Sequence, residues 1–354
     1  MRKTSFIVSI AISMSIASSL MANQTLRIIT WKSYTPPKLV QKFTKETGIK
    51  VEITYSNNEE MIAKLRATRG GGFDLAQPSQ DRIYAVQARF KVYQPMDYSK
   101  IKTSEFIPSM LAAVKKNSKV GNKSYAVPFC YGTSGLIVNK KYAPNAKDWS
   151  ALWNPKYKGK ISYRLKRPTL IATAYGLGYD PFAAYSNKEK YAKIMKIVEK
   201  KLIAAKPLVM NYWANGDSLL QMVRSGEVVV AMGWDGGGWK LHKENPNIDF
   251  VVPKSGALGW IDTFAIPAKS QNVSAAYKWI NFMMRPENAA YFTNQSGYGS
   301  ASKGANKYLK KDIRDNFERS FTKADIDNIK WYPPVPAGLE SIEGRILDHI
   351  RAAR

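Results

Sequence analysis

Residues 258–267 read LGWIDTFAIP, and one carboxylate, Asp262, stands in that apolar run two residues after Trp260. Side chains two apart on a strand share a face, so Trp260 and Asp262 would look into one space while Ile261 and Thr263 take the other. A ring face attracts positive charge and a carboxylate pairs with it, so that space suits a cation. An Asp at a strand edge beside a core Trp is the plain alternative, and these residues alone leave both open. Other chemistry is scarce. His242 and His349 are the two histidines and lie far apart, which gives no zinc-ligand spacing and no Ser-His-Asp arrangement. No nucleophile elbow is present either. The expectation is therefore a binding protein rather than an enzyme, with no metal and no cofactor. The single cysteine, Cys130, cannot form an internal disulfide and reads as a buried small apolar residue.

The elements that would position these residues alternate between strand and helix. LRIITW (26–31) is a strand, and PPKLVQKFTKETG is a helix with Pro near its first turn and Gly48 at its stop. Strand KVEITY, helix EEMIAKLRAT and strand FDLAQ follow, and then a helix that opens at Ser79, a good N-cap residue. The second half repeats the pattern with strand GKISYR, a helix opening at Pro168, an amphipathic helix over 188–204, strand PLVMNY, a helix from Asn215 and strand EVVVAMGW. DFVVP is a further strand, with helices over 273–284 and from Pro286. Such alternation predicts an α/β protein with mostly parallel sheet in two lobes. Ligands of open α/β sheets bind beyond the carboxyl ends of the strands. Trp31, Ser33 and Tyr34 fall just past the first strand, Ser79, Gln80 and Asp81 past FDLAQ, and Trp234 and Asp235 past EVVVAMG. Any one of these could be a cap or a core aromatic, but together with Trp260 and Asp262 they form a candidate site. Gly70–Gly72 lack the Lys and Ser/Thr of a phosphate loop and read as a turn. Gly236–Gly238 would allow either close approach to a ligand or a tight turn.

At 354 residues the chain fits two domains of ordinary size. Its 54 Lys and Arg against 27 Asp and Glu give a formal charge of +27. The lysines are scattered without a basic arm or nucleic-acid module, so a solvated basic surface is expected and nucleic acid is not an expected partner. Arg2 and Lys3 followed by FIVSIAISMSIASSLMA have the form of a secretory signal peptide, too short for a comfortable membrane span. Cleavage after Ala22 is expected, although Leu20 fits the small-residue rule poorly and Ser19 is an alternative. Export to the periplasm follows.

Seven segments, in order, carry a resemblance: KFTKETGIKVEITYSNNEEMIAKLRA, FDLAQPSQD, KSYAVPFCYGTSGLIVN, LWNPKYKGKI, EVVVAMGW, GWIDTFAIP and AYKWINFMMRPENAAYFTNQSGYGSA. Together they resemble bacterial periplasmic spermidine/putrescine-binding proteins of ABC importers, across residues 25–340. The resemblance implies a two-lobed periplasmic binding protein fold, type II-like, with a ligand cleft between lobes. It implies a signal peptide over 1–22, one lobe from 23–128 plus 258–305, and another from 129–257 plus 306–354. A monomer would capture a small-molecule ligand, a polyamine or related amine, and deliver it to an ABC permease in the inner membrane. On matching motifs, Trp31 and Tyr34 look like first-loop aromatic contacts, Ser79 like the next loop's contact, and Trp234 and Trp260 like ring walls. Asp262 looks like the carboxylate that grips an amine and Tyr298 like the late tyrosine, while Glu59 matches an acidic position. Where relatives carry an acidic pair after the KG strand, this sequence has Arg164, Lys166 and Arg167, and around Trp331 and Tyr332 it departs again. Asp235 and Asp81 could restore negative charge. The departure opens an alternative ligand, an amine- and carboxylate-bearing zwitterion with Asp262 on the amine and Arg164 or Arg167 on the carboxylate.

Overall fold

The computed structural model describes residues 24–353. The signal segment read from the sequence lies outside them. The described chain is α/β and divides into two compact units. The first holds the chain through Phe129 together with Asp262–Gln295 and Ser300–Tyr308, and the second holds Cys130–Ile261, Ser296–Gly299 and the chain from Leu309.

In chain order the first unit begins with β1 (Thr25–Thr30), α1 (Pro37–Thr47), β2 (Lys50–Tyr55), α2 (Asn58–Ala67), β3 (Leu75–Ala76) and α3 (Ile83–Phe90). Strand β1 lies between β2 and β3, parallel to both, with Thr25 opposite Lys50 and Ile28 opposite Leu75. Consecutive Ile28 and Ile29 are both fully buried, as expected of a central strand covered on two faces. Helix α1 starts on Pro37 and stops at Gly48, whose φ of 72° lets its N–H reach the Thr44 carbonyl at 2.8 Å. Its buried Phe43 packs edge-on against Trp279 and Phe282.

Past α3 come α4 (Pro108–Asn117), the short hairpin β4 (Lys119–Val120) and β5 (Lys123–Ser124), and then β6 (Val127–Asn139). The chain continues through β7 (Ile161–Tyr163), α5 (Arg167–Gly176), α6 (Lys188–Ala205), β8 (Val209–Tyr212), α7 (Gly216–Arg224), β9 (Val230–Trp234), α8 (Asp235–Glu244), β10 (Ile248–Val251) and β11 (Leu258–Phe264). Helices α9 (Val273–Met283) and α10 (Pro286–Ser296) follow, then β12 (Gly299–Ser300), α11 (Lys311–Ser320), α12 (Lys323–Asp327), β13 (Lys330–Trp331) and α13 (Leu339–Ala352). The larger sheet runs β13-β11-β6-β9-β7-β8.

In the second unit β7 is parallel to β8 and β9, but β6 runs antiparallel to β9 and β10. The expected mostly parallel sheet is therefore mixed. The cause is β6, thirteen residues long and almost wholly buried, which the strand-helix alternation does not include. Pro128, Gly132 and Gly135 give it the look of turn sequence. These glycines instead admit neighbours: a Cβ on Gly132 would lie 2.5 Å from the Trp260 ring, and one on Gly135 2.5 Å from Phe250. Gly236–Gly238 are likewise helical rather than a tight turn. They form the first turn of α8, and a Cβ on Gly236 or Gly238 would meet the Ser296 carbonyl or Phe250 within 2.8 Å.

Candidate functional site

In the first unit the predicted residues converge on Asp262. The segment 76–79 bridges antiparallel to 262–265, pairing Ala76 with Ala265 and Ser79 with Asp262. The Asp262 carboxylate, 3% exposed, accepts hydrogen bonds from the Tyr34 hydroxyl and, at 2.5 Å, from Ser79 Oγ. Ser79 was expected to cap a helix with its side chain. It makes no such bond; its hydroxyl serves Asp262, and the helix that follows opens with a 3₁₀ turn over Gln80–Arg82 before α3 begins at Ile83. Asn58 fixes that serine, accepting from its N–H at 3.0 Å and donating to its Oγ at 2.9 Å. Asn57 caps α2 and so places Asn58 at the helix start.

Tyr34 is held by Phe129 and Phe292, whose rings stand nearly perpendicular to it at 5.4 and 5.8 Å. Trp31 lies 6.5 Å from Tyr34 and donates its indole N–H to the Gln77 carbonyl at 3.1 Å. Between them Ser33 adopts φ 125°, a conformation that a side chain disfavours and a tight loop imposes. Burial pushes the Asp262 carboxyl up to about 7. The Ser79 and Tyr34 hydrogen bonds oppose that rise, and the Asp81 charge adds to it.

In the second unit the predicted residues form two aromatic pairs and a carboxylate. Trp234 ends β9 and meets Trp213 edge to face at 5.1 Å, and Trp260 meets Tyr298 in the same manner at 5.0 Å. The Trp260 indole N–H is buried and has no hydrogen-bond partner among the described residues. Asp235 opens α8. One of its oxygens accepts from the Thr133 N–H at 2.7 Å and hydroxyl at 2.9 Å, and the other from the Gly236 N–H at 2.7 Å. Burial pushes this carboxyl also up to about 7, against those hydrogen bonds.

The basic stretch divides. The Arg167 guanidinium is buried in the second unit, 3.1 Å from Glu343, hydrogen-bonded to the Tyr185 hydroxyl and 5.0 Å over the Tyr332 ring. Tyr191 donates to the same Glu343 oxygen at 2.6 Å. Arg167 thus ties α5 to α13. Arg164 follows β7, beside the ends of β8 and β9, with its guanidinium 5.8 Å from the Trp213 ring. Glu59 lies 3.8 Å from Arg82 on the first unit.

Asn58, Thr133, Gly132 and Trp213 hold these groups in place and were not singled out in the sequence. Only Gly132, inside the motif FCYGTSG, left a usable signal.

The family described as bacterial extracellular solute-binding protein matches residues 38–319. A relative from Escherichia coli, named spermidine/putrescine-binding periplasmic protein, is 31% identical over 337 residues, covering 94% of this chain and 93% of its own. A solved structure from Listeria monocytogenes aligns with TM-score 0.82 at 29% identity, covering 94% of this chain and 100% of that one. The substrate-binding protein of a spermidine/putrescine ABC transporter from Streptococcus pneumoniae gives TM-score 0.73 at 26% identity, covering 94% and 99%.

Proposed function

This chain belongs to the bacterial extracellular solute-binding protein family, and from that membership we propose that it captures a polyamine, putrescine or spermidine, or a similar organic cation. It hands that solute to an ABC permease in the inner membrane, acts from the periplasm after removal of its signal segment, works as a monomer and catalyses no reaction. The observation that carries the reading is Asp262, a buried carboxylate whose two described donors are side-chain hydroxyls. Hydroxyls rotate and also accept, so Tyr34 and Ser79 can yield to an ammonium and then receive its N–H groups. Ionised Asp262 would supply the counter-charge that a desolvated ammonium requires. In this reading Trp31 on the first unit, and Trp234, Trp260 and Tyr298 on the second, are each rings suited to alkyl and ammonium groups. Asp235, with its oxygens taken up by Thr133 and Gly236, fixes the start of α8 beside Trp234.

The test is isothermal titration of the ligand-stripped protein with putrescine and spermidine, repeated on Asp262→Asn. Binding by the wild type and a loss of about a hundredfold or more in the variant are expected. Unchanged affinity in Asp262→Asn would sink the cation grip. The position of Arg164 beside Trp213 favours one second reading, a zwitterion whose carboxylate meets that guanidinium. Arg167 is already committed to Glu343 and is a poorer candidate. Under this second reading Arg164→Glu loses affinity for a zwitterion, and under the first it does not weaken a diamine.

A further inference from the structure

Helix α6 is the longest in the described chain, eighteen residues from Lys188 to Ala205. Its apolar side, with Tyr191, Ile194, Met195, Val198 and Leu202, is buried. The opposite side carries Lys190, Lys193, Lys196 and Lys200, all exposed, at spacings of three, three and four residues. Such spacing aligns them on one stripe about 15 Å long. Ile197 is 41% exposed among them, a large aliphatic side chain presented to solvent inside a ring of charge.

The acidic residues of the neighbourhood do not cancel this stripe. Glu199 is buried at its back, where Lys196 meets it at 3.0 Å and His349 at 2.8 Å. On α13, which packs against α6, the exposed Asp348 is already paired with Arg351 at 2.7 Å. Among the described residues Lys190, Lys193 and Lys200 enter no ion pair, and Glu189 is the one exposed acid on the helix.

We infer that the outer face of α6 is a docking surface for an anionic lipid bilayer, with the lysines over the phosphates and Ile197 at the headgroup boundary. A helix whose exposed side is cationic with an aliphatic centre is complementary to such a surface in charge and in polarity. The mature chain's charge, +27 less Arg2 and Lys3 of the signal segment, draws the protein to any anionic surface, and the α6 stripe orients it there. A solute carrier that rests on the bilayer searches for its membrane partner in two dimensions.

The experiment is sedimentation of the full mature protein with phosphatidylcholine vesicles, with and without phosphatidylglycerol, at physiological salt. The variants are the triple Lys190→Gln, Lys193→Gln, Lys200→Gln on α6, and a control of equal charge in the first unit, Lys102→Gln, Lys116→Gln, Lys119→Gln. Glutamine keeps helix propensity, and circular dichroism checks that each variant is folded. Binding to the anionic vesicles alone is expected, with a loss of about a hundredfold in the α6 variant and a much smaller loss in the control. Ile197→Ser should weaken binding further without changing its salt dependence. Equal losses in the two triple variants would reduce the effect to bulk charge, and absence of binding to anionic vesicles would overturn the assignment outright.

Discussion

Two buried aspartates, one in each unit, share a raised pKa near 7 and differ in what holds them. Asp235 is held mostly by the backbone: the N–H groups of Thr133 and Gly236, with one hydroxyl in support. Asp262 is held by two side-chain hydroxyls, from Tyr34 and Ser79. Backbone donors are wired into strand and helix and cannot leave without disturbing them, whereas a hydroxyl turns about one bond. In the proposed reading the first carboxylate serves the fold, and the second can exchange partners. On that reading, burial alone does not mark the binding carboxylate; the mobility of the donors around it does.

The largest expected effects come from exchanging the two by mutation. Asp235→Ala leaves buried N–H groups of Thr133 and Gly236 without an acceptor and should cost about 2–4 kcal/mol in urea unfolding. Asp262→Asn should leave unfolding within about 1 kcal/mol of wild type while removing polyamine binding. If both variants lose stability equally, the distinction between them fails.

Arg167 extends the same contrast to a cation. Arg167→Met strands Glu343 in the second unit and should cost about 3 kcal/mol, with much of it regained in the double variant Arg167→Met, Glu343→Leu. Full additivity in that cycle would mean that the pair is not coupled.

An effect of comparable size is expected from pH. The folded carboxyl of Asp262 titrates near 7, above its unfolded value near 4, so the folded state binds the extra proton between those limits. Its contribution to ligand-free stability is complete below pH 4 and lost as pH rises through 7. An ammonium needs the ionised form, so affinity should rise over the same interval. Thermal unfolding of ligand-free protein from pH 4.5 to 8, with and without Asp262→Asn, should show a shallower decline in the variant; parallel curves would assign the slope elsewhere.

The smallest effect is at the supports. Ser79→Ala and Asn58→Ala each remove a neutral hydrogen bond from the Asp262 set and should weaken ligand binding about tenfold or less. A loss as large as that of Asp262→Asn would make Ser79 an equal partner rather than a support.

Local chemistry made much of the fold legible. Gly48 stops α1, Asn215 caps α7, and the apolar periodicity of 188–204 matches the buried side of α6. These signals act within a few residues of chain, where backbone sterics and caps decide. The candidate residues could be picked out one by one, because aromatic and acidic side chains past strand ends stand out against an apolar strand. Strand β6 was not, since its glycines are there for neighbours distant in sequence. Nor was the part played by Ser79, whose cap signal is real but whose hydroxyl answers to a carboxylate 183 residues away.

By itself, then, the sequence determined the alternation of elements, the presence of one conspicuous carboxylate in LGWIDTFAIP, and the strongly basic surface. Only the tertiary structure decided that Asp262 is held by hydroxyls and Asp235 by amides, and that Arg167 belongs to Glu343. The physical reason is common to all three. Each depends on a partner brought close by packing, and the energy of a buried charge is set by those partners rather than by its neighbours in the chain.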